Sequence, residues 1–241
     1  MTSSSTSSAS DQDEVLDCGK AVNFTYYDNL VGVNNRHNHP HVPEPQVALI
    51  FKKKSSKNSD FDVDALERKL KKAKREVCVI IFFKIVQMVK TFYFFFFFFK
   101  KPKSVQLYNQ IGNFWRIKGD AQKSIECFRR ALAVSPHNAE VLLNLARVLL
   151  NLQYLDDAIY LTRRSLEVQP PDKNAWQQYY TLGEIFKAYG HYQEASLHLR
   201  HSLELKPEFE PAIAALKDME SIPETTVHIY TLLIIICLVS A

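Results

Sequence analysis

The sequence predicts an all-α solenoid of three helix-turn-helix repeats and a capping helix, behind a largely irregular N-terminal region. Prolines at 136, 170 and 207 recur at spacings of 34 and 37 residues. Four of the six glycines form two pairs, each seven residues apart, at 112 and 119 and at 183 and 190. Apolar residues also recur at helical spacing in two stretches per unit. A fixed period with two helical patterns per unit indicates a helical repeat array.

The first helix of each unit pairs an apolar residue with a small one, and the second helix carries another small residue. The pairs are Ile111-Gly112, Leu145-Ala146 and Leu182-Gly183, and the second-helix residues are Ser124, Ala158 and Ala195. This pattern resembles the tetratricopeptide repeat (TPR) family, whose period is 34 residues. The resemblance implies a TPR domain at 104–222, with repeats at 105–138, 139–172 and 176–209 and a cap at 209–220.

The small residues and the helix breaks have a physical basis. A small side chain lets the two helices of a unit approach closely, and glycine adopts a positive φ at the turn between them at little cost. Proline ends each second helix because it has no N–H to donate. The middle unit departs from the pattern, since Gln153 stands at the turn position and Thr162 at a position that is usually apolar.

The resemblance implies a non-enzymatic scaffold that binds a peptide or helix of a partner protein in a concave groove lined by the first helices. The candidate groove residues are Asn109, Asn113, Arg116, Asn144, Arg147, Tyr180, Glu184 and Lys187. Asn113 and Asn144 are expected to face the same concavity and hold a peptide backbone, with Arg147 selecting an acidic or carbonyl-rich segment. The alternative is that these amides bond only each other or water.

The same positions also show whether the groove could be one that binds the C-termini of chaperones. TPR domains that bind the acidic C-termini of large chaperones surround two carboxylates with cations and asparagines. Asn113 and Asn144 match the asparagine positions, but the basic positions are occupied by Asn109, Gln177 and Thr181. Without those cations nothing offsets the desolvation of the carboxylates. A chaperone clamp is therefore not expected.

Catalytic motifs are absent from the sequence: it has no P-loop, dinucleotide fingerprint, nucleophile elbow or HExxH. The chain is therefore predicted not to be an enzyme and to need no cofactor. The three histidines of the run 37–41 resemble a metal site, because alternate residues of a strand share a face. The proline within this run and its Asn-rich flank favour an extended loop with exposed histidines instead.

The cysteines and the net charge limit the cellular compartment and the classes of partner that can be expected. The cysteines at 18, 78, 127 and 237 form no CxxC pair, and the polar segment 1–14 has no export signal, so we expect reduced thiols in a cytoplasmic protein. The sequon Asn23-Phe24-Thr25 is then expected to remain unglycosylated. The net charge is only +4. Its basic clusters are expected to be solvated or to meet acidic proteins, and no nucleic-acid partner is predicted.

Upstream of the repeats, 1–60 is Ser-rich and then Asn/His-rich and is predicted to be disordered or irregular. The segment 61–76 is predicted to be a basic amphipathic helix, which either binds a membrane surface or an acidic partner or simply leads into the array. The residues of 14–76 and 104–220 resemble a TPR family member implicated in actin polymerisation and primary-cilium formation. This resemblance implies actin-regulatory partners and association with the cytoskeleton.

Two apolar segments, 77–103 and 223–241, fit neither the repeats nor an ordinary core. The first contains six consecutive phenylalanines, at 94–99. We interpret it as a translated pyrimidine tract of a retained intron, with a membrane segment at 77–99 as the alternative. The tail has 17 residues without Lys, Arg, Asp or Glu at 225–241, the lower limit for a membrane span. It is either read-through or a tail anchor, and an anchor would make the chain a membrane receptor that presents the TPR domain.

Overall fold

The computed structural model describes residues 15–19, 23–51, 62–88, 102–220, 233 and 235–238, and these residues form helices and loops without a strand. The predicted all-α TPR fold is confirmed. The chain divides into two compact units, Met1–Pro136 (unit 1) and His137–Ala241 (unit 2).

Unit 1 contains short helical turns followed by longer helices. The turns are 3-10 helices at Tyr26–Asn29, Arg36–Asn38 and Pro45–Ile50 and the four-residue helix α1 (Val31–Asn34). The longer helices are α2 (Val63–Met88), α3 (Pro102–Lys118) and α4 (Ala121–Val134). α3 and α4 pack on each other as the helix pair of the first repeat, and α2 packs on α3 where a preceding repeat would lie.

Helix α2 includes the predicted basic helix and extends beyond it. The Asp62 carboxylate caps its first turn by accepting hydrogen bonds from the backbone N–H groups of Asp64 and Ala65, at 2.9 and 3.0 Å. The helix continues past Glu76 to Met88. Its apolar stripe, with Leu66 and Leu70, is buried in the core of unit 1. The stripe is therefore already packed against protein and is not presented to a membrane surface.

Residues 15–19 and 23–51, predicted to be irregular, complete the core of unit 1. Leu16, Val47 and Ala48 are buried in one cluster with side chains of α2 and α3. The Trp115 indole N–H donates to the Leu16 carbonyl at 2.7 Å. Because the first repeat of an array otherwise exposes an apolar end, this segment acts as its N-terminal cap.

A disulfide joins this N-terminal segment to the first repeat. Cys18 and Cys127 are bonded, with their Cα atoms 5.3 Å apart, and both side chains are buried. The expectation of four free thiols is therefore wrong for these two cysteines, while Cys78 and Cys237 are free and exposed. The spacing of the cysteines in the sequence could not predict this pairing, because the two partners are 109 residues apart. A disulfide closing so long a loop typically stabilises a fold by about 2–4 kcal/mol.

Unit 2 contains two helix pairs and a final helix. The helices are α5 (Ala139–Asn151), α6 (Leu155–Glu167), α7 (Trp176–Ala188), α8 (Tyr192–Leu205) and α9 (Glu210–Glu220). Consecutive helices of this series pack on each other, and the two first helices, α5 and α7, are also in contact. Helix α9 covers α8 with Ala212 and Met219, which are buried beside Leu199. It thus occupies the position of the predicted cap.

The predicted close approach of the paired helices is present in both units. A Cβ on Gly112 of α3 would lie 2.5 Å from the Phe128 ring of α4, and a Cβ on Gly183 of α7 would lie 2.6 Å from Leu199 Cγ of α8. Both distances are far below van der Waals contact. A residue larger than glycine fits at either position only if the Phe128 or Leu199 side chain, or the helix that carries it, shifts.

The turn between the two helices of a repeat adopts the left-handed conformation in all three repeats. Gly119 and Gly190 have φ values of 82° and 80°, and Gln153, at the same place in the middle repeat, has a φ of 64°. Gln153 is the one non-glycine residue with a positive φ among the described residues. Its Cβ makes this conformation costly, so the middle turn is strained where the other two are not.

A row of stacked rings runs along the contact between α7 and α8. His198 lies between Tyr179 and Phe186, with ring centroids 6.3 and 5.2 Å away. His198 Nδ1 is buried and has no hydrogen-bond partner. Burial, together with the positive charges of His201 and Arg163, lowers the pKa of His198 below its usual value, while Glu194 opposes the shift. A charged imidazolium is therefore disfavoured at this position in the folded state.

Three predicted segments lie outside the described residues. They are the disordered segment 1–14, the phenylalanine run 94–99, and all of the tail 223–241 apart from 233 and 235–238. The read-through, membrane-segment and tail-anchor interpretations therefore stay predictions. Across the described ranges, none of the helices combines the length and the apolar character needed to cross a bilayer.

Replacing Gln153 with glycine is expected to raise the free energy of unfolding of unit 2 by about 0.5–1 kcal/mol, because the left-handed turn loses its Cβ clash. Denaturant unfolding followed by Trp176 fluorescence in a Trp115→Phe background measures the change. Gln153→Ala keeps the Cβ and serves as the matched control. Equal stability of the glycine and alanine variants would contradict strain at this turn.

The stability of unit 2 is expected to fall as the pH decreases below about 6.5, the usual pKa of histidine. Because the pKa of His198 is lower in the folded than in the unfolded chain, its protonation favours unfolding. The loss begins at the unfolded pKa and is complete below the folded one. His198→Phe should flatten this pH dependence in the same fluorescence assay, whereas the exposed His137→Phe should not. If stability depends on pH in the same way in wild type and His198→Phe, His198 is not the group responsible.

Candidate functional site

The predicted groove residues divide between the two units. Asn109, Asn113 and Arg116 lie on α3 in unit 1. The others, on α5 and α7 in unit 2, are Asn144, Arg147, Tyr180, Glu184 and Lys187. The two sets form faces of different character.

On the unit 1 face, all three predicted residues are buried. Arg116 is 3% exposed and forms a bidentate ion pair with Glu44, with Nε–Oε1 and Nη2–Oε2 distances of 3.0 and 2.6 Å. Its Nη1 donates to Asn113 Oδ1 at 3.0 Å. The fork of the guanidinium is thus matched by one carboxylate and one amide oxygen of the same chain.

The segment that supplies Glu44 is an extended strap, residues 41–44, which lies at the C-terminal end of α3. The Glu44 N–H donates to the Arg116 carbonyl at 2.9 Å, and the Val42 N–H donates to the Gly119 carbonyl at 3.1 Å. The strap thus pairs with carbonyl groups at the C-terminal end of the helix, where the Arg116 carbonyl also accepts the Gly119 N–H at 3.1 Å. The strap therefore occupies the polar end of the first-repeat face, and Asn113 and Arg116 are not presented to solvent.

A second buried ion-pair group in unit 1 holds the N-terminal segment against α4. Arg129, 1% exposed, donates from Nη2 to Asp28 Oδ2 at 2.7 Å and from Nη1 to Glu126 Oε2 at 2.6 Å. Arg36 bonds both carboxylates. Burial raises the pKa of Asp28, but hydrogen bonds from Arg129 and Thr25 outweigh it, so the pKa lies below its usual range. Sequence reasoning missed this group because its members are far apart in the chain.

The unit 2 face carries a polar network between the two first helices. Arg147 Nη1 lies 3.2 Å from Glu184 Oε2 and 3.2 Å from the Thr181 hydroxyl. The Tyr180 hydroxyl donates to Glu184 Oε1 at 2.8 Å, and the guanidinium lies 5.7 Å from the centre of the Tyr180 ring. One cation, one carboxylate and one phenol therefore form a single connected site. We call Arg147, Tyr180, Thr181 and Glu184 the α5–α7 cluster.

The α5–α7 cluster is only partly covered. The side chains of Arg147 and Glu184 are 26% and 30% exposed. Lys187, one turn further along α7, is 33% exposed and lies 3.3 Å from the Asp218 carboxylate of α9. Asn144, by contrast, is buried. Arg147, Glu184 and Lys187 therefore remain accessible to a ligand on this face, and Asn144 does not.

The chemistry of the α5–α7 cluster is that of hydrogen bonding. Burial raises the pKa of Tyr180, and the neighbouring Glu184 carboxylate raises it further, so the phenol stays protonated and remains a donor. Thr181, which stands where a chaperone clamp would have a basic residue, donates its hydroxyl proton to the Gln177 carbonyl at 2.8 Å. The face thus offers guanidinium donors, a carboxylate acceptor and a flat ring.

The histidine run does not assemble a metal site in the described part of the chain. His37 Nδ1 lies 2.9 Å from the Gln122 amide, and His39 Nε2 lies 2.6 Å from the Gly32 carbonyl. No group of three or more His, Cys, Asp or Glu side chains converges among the described residues. The two rings bond different parts of unit 1, and these bonds attach the loop to it.

Comparison with known proteins gives two matches to family models, both described as tetratricopeptide repeat, at residues 117–181 and 179–209. Among solved structures, the first TPR domain of human RPAP3 is 19% identical, with a TM-score of 0.46, and covers 50% of this chain and 92% of that domain. The first TPR of Spaghetti (RPAP3) bound to an HSP90 peptide is also 19% identical, with a TM-score of 0.45. The match covers 48% of this chain and 92% of that one.

Curated relatives give the stronger likeness. Mouse tetratricopeptide repeat protein 17 is 38% identical over 116 residues, 47% of this chain and 9% of the relative. The human protein is 37% identical over 115 residues, 47% of this chain and 10% of the relative. The chain thus spans about a tenth of the length of the curated relatives it matches. The stretch 117–209 therefore matches tetratricopeptide-repeat models, and the chain resembles part of tetratricopeptide repeat protein 17.

Proposed function

We propose that the chain is a non-enzymatic scaffold that binds an extended segment of a partner protein on the α5–α7 cluster. Its TPR repeats are a protein-interaction fold, and the partly exposed network of Arg147, Tyr180 and Glu184 carries the proposal. Two adjacent first helices supply it, which is the arrangement that a TPR groove uses to hold a peptide. The unit 1 face is less suited, since the strap already occupies Arg116.

The preferred ligand follows from the polar groups that remain available. Arg147 uses only Nη1 in the bonds to Thr181 and Glu184, so donors on its other nitrogens can bind a carbonyl or carboxylate of the ligand. The Glu184 carboxylate accepts from backbone N–H groups, and the Tyr180 ring offers a flat apolar surface. Because the cations of this face are paired with Glu184 and Asp218, the net local charge is small. We expect a peptide whose affinity depends on hydrogen bonds more than on charge.

Binding is tested with a peptide selected from a random display library against the full chain and measured by calorimetry. Arg147→Ala and Tyr180→Ala should each weaken its affinity by about 1–3 kcal/mol, because each removes groups that contact the ligand. Arg200→Ala removes an exposed arginine from α8, the second helix of the third repeat, and is the matched control. If the control weakens binding as much as Arg147→Ala, or if neither cluster variant changes it, the peptide does not bind at this cluster.

The resemblance to tetratricopeptide repeat protein 17 extends the proposal to actin filament organisation and cilium assembly. This part requires a cytosolic location. Cosedimentation of the full chain with filamentous actin is the direct measurement: the chain should pellet with filaments and stay in solution without them. A chain that remains in solution at actin excess contradicts this part and leaves peptide binding at the α5–α7 cluster untouched. Presentation of the domain on a tail anchor stays an alternative that concerns residues outside the described ranges.

A further inference from the structure

We propose that Asn23 carries an N-linked glycan and that the Cys18–Cys127 bond forms in the same oxidising compartment, so that this chain folds in the lumen of the secretory pathway. Two independent features of unit 1 carry this inference, and peptide binding uses neither. One is the disulfide, and the other is the surface position of the sequon.

The disulfide lies in the hydrophobic core of unit 1 and not on the surface. Cys127 lies on α4 and is 1% exposed, and Cys18 comes from the N-terminal segment that caps the first repeat. Both sulfurs belong to the cluster that contains Leu16 and Phe114. Cytosolic thiols are kept reduced by glutathione and thioredoxin, whereas structural disulfides form and persist in the endoplasmic reticulum and outside the cell. A buried structural disulfide therefore indicates folding in an oxidising compartment.

The sequon Asn23-Phe24-Thr25 is the only Asn-x-Ser/Thr in the 241 residues. Asn23 is exposed, Phe24 is 75% exposed, and both precede the helical turn Tyr26–Asn29 in a stretch without regular structure. A glycan on the Asn23 amide therefore projects into solvent and displaces no packed side chain. Glycosylated asparagines lie on such surface loops of secreted proteins.

The sequon threonine has a structural role that is compatible with the modification. Its hydroxyl donates to Asp28 Oδ2 at 2.6 Å, and Asp28 in turn accepts from Arg129. The Thr25–Asp28 bond is local, whereas the Asp28–Arg129 pair joins residues 101 apart and forms only on folding. In the folded chain the Thr25 hydroxyl thus stabilises the turn that follows Asn23, and Asn23 itself stays exposed.

Both covalent steps use reagents of the lumen. In glycosyl transfer, the Asn23 amide nitrogen forms a bond to the anomeric carbon of a lipid-pyrophosphate oligosaccharide. The carbon–oxygen bond to the pyrophosphate breaks, the lipid pyrophosphate leaves and the amide proton is released. In disulfide formation, the two thiols lose two protons and two electrons to the disulfide of a thiol oxidoreductase, which is reduced to a dithiol. A lumenal chain does not meet cytosolic actin, so this inference opposes the actin part of the proposed function and leaves peptide binding intact.

The glycan is tested on the full-length protein isolated from eukaryotic cells. Treatment with peptide N-glycosidase should increase its electrophoretic mobility by one step and leave aspartate at position 23, which mass spectrometry identifies. Asn23→Gln should abolish the step, and the matched control Thr25→Ser, which preserves the sequon and its hydroxyl, should retain it. Wild-type protein that is unmodified at Asn23 overturns the proposal.

The disulfide is tested on the same wild-type protein, which avoids variants that fail to fold. After denaturation without reductant, a maleimide reagent should label Cys78 and Cys237 but not Cys18 or Cys127, and prior reduction should allow labelling of all four. Cys78→Ser should lose one label and keep the disulfide. Labelling of all four cysteines without reduction overturns the proposal.

Discussion

At Gly112 the first helix of a repeat lies so close to the second that a Cβ would come within 2.5 Å of the Phe128 ring. The same contact recurs at Gly183, where the second helix contributes Leu199. This close approach brings the side chains of the two helices into dense van der Waals contact, which favours one crossing geometry. Within unit 1 the strap contacts of α3 depend on the α3–α4 pair, and within unit 2 Tyr180 and Glu184 of the α5–α7 cluster depend on the α7–α8 pair.

The first-helix faces of the two units each carry an arginine paired with a glutamate, but the two pairs have different roles. Arg116 is held by Glu44 of its own chain in a buried bidentate pair, and removing one partner of such a pair typically costs about 3–5 kcal/mol. Arg147 makes a single-nitrogen contact with Glu184 on a partly exposed surface. Ion pairs nearer to solvent generally contribute less to stability than buried bidentate ones. The first arginine therefore serves the fold of unit 1, and the second is only partly covered.

The N-terminal segment of unit 1 is attached by three kinds of interaction at once. The Cys18–Cys127 bond attaches its first part to α4, the Asp28–Arg129 pair attaches its middle, and Glu44 attaches its end to α3. Apolar burial of Leu16 and Val47 accompanies these contacts. Because the charges are buried, each depends on its partner for stability, so the segment and the first repeat are expected to unfold together. An array end that would otherwise expose apolar surface is covered in this way.

The sequence by itself determined the repeats of this protein. Helix periodicity, the small residues at positions such as Gly112 and Gly183 and the closing prolines all act within a few turns of chain, so the helix pairs and the cap could be predicted locally. Even the departure at Gln153 was visible, although its φ of 64° was not. Tertiary structure alone decided which polar residues are covered and which cysteines are paired. Those outcomes depend on partners 72 and 109 residues apart, as in Glu44–Arg116 and Cys18–Cys127, and no local pattern records such contacts.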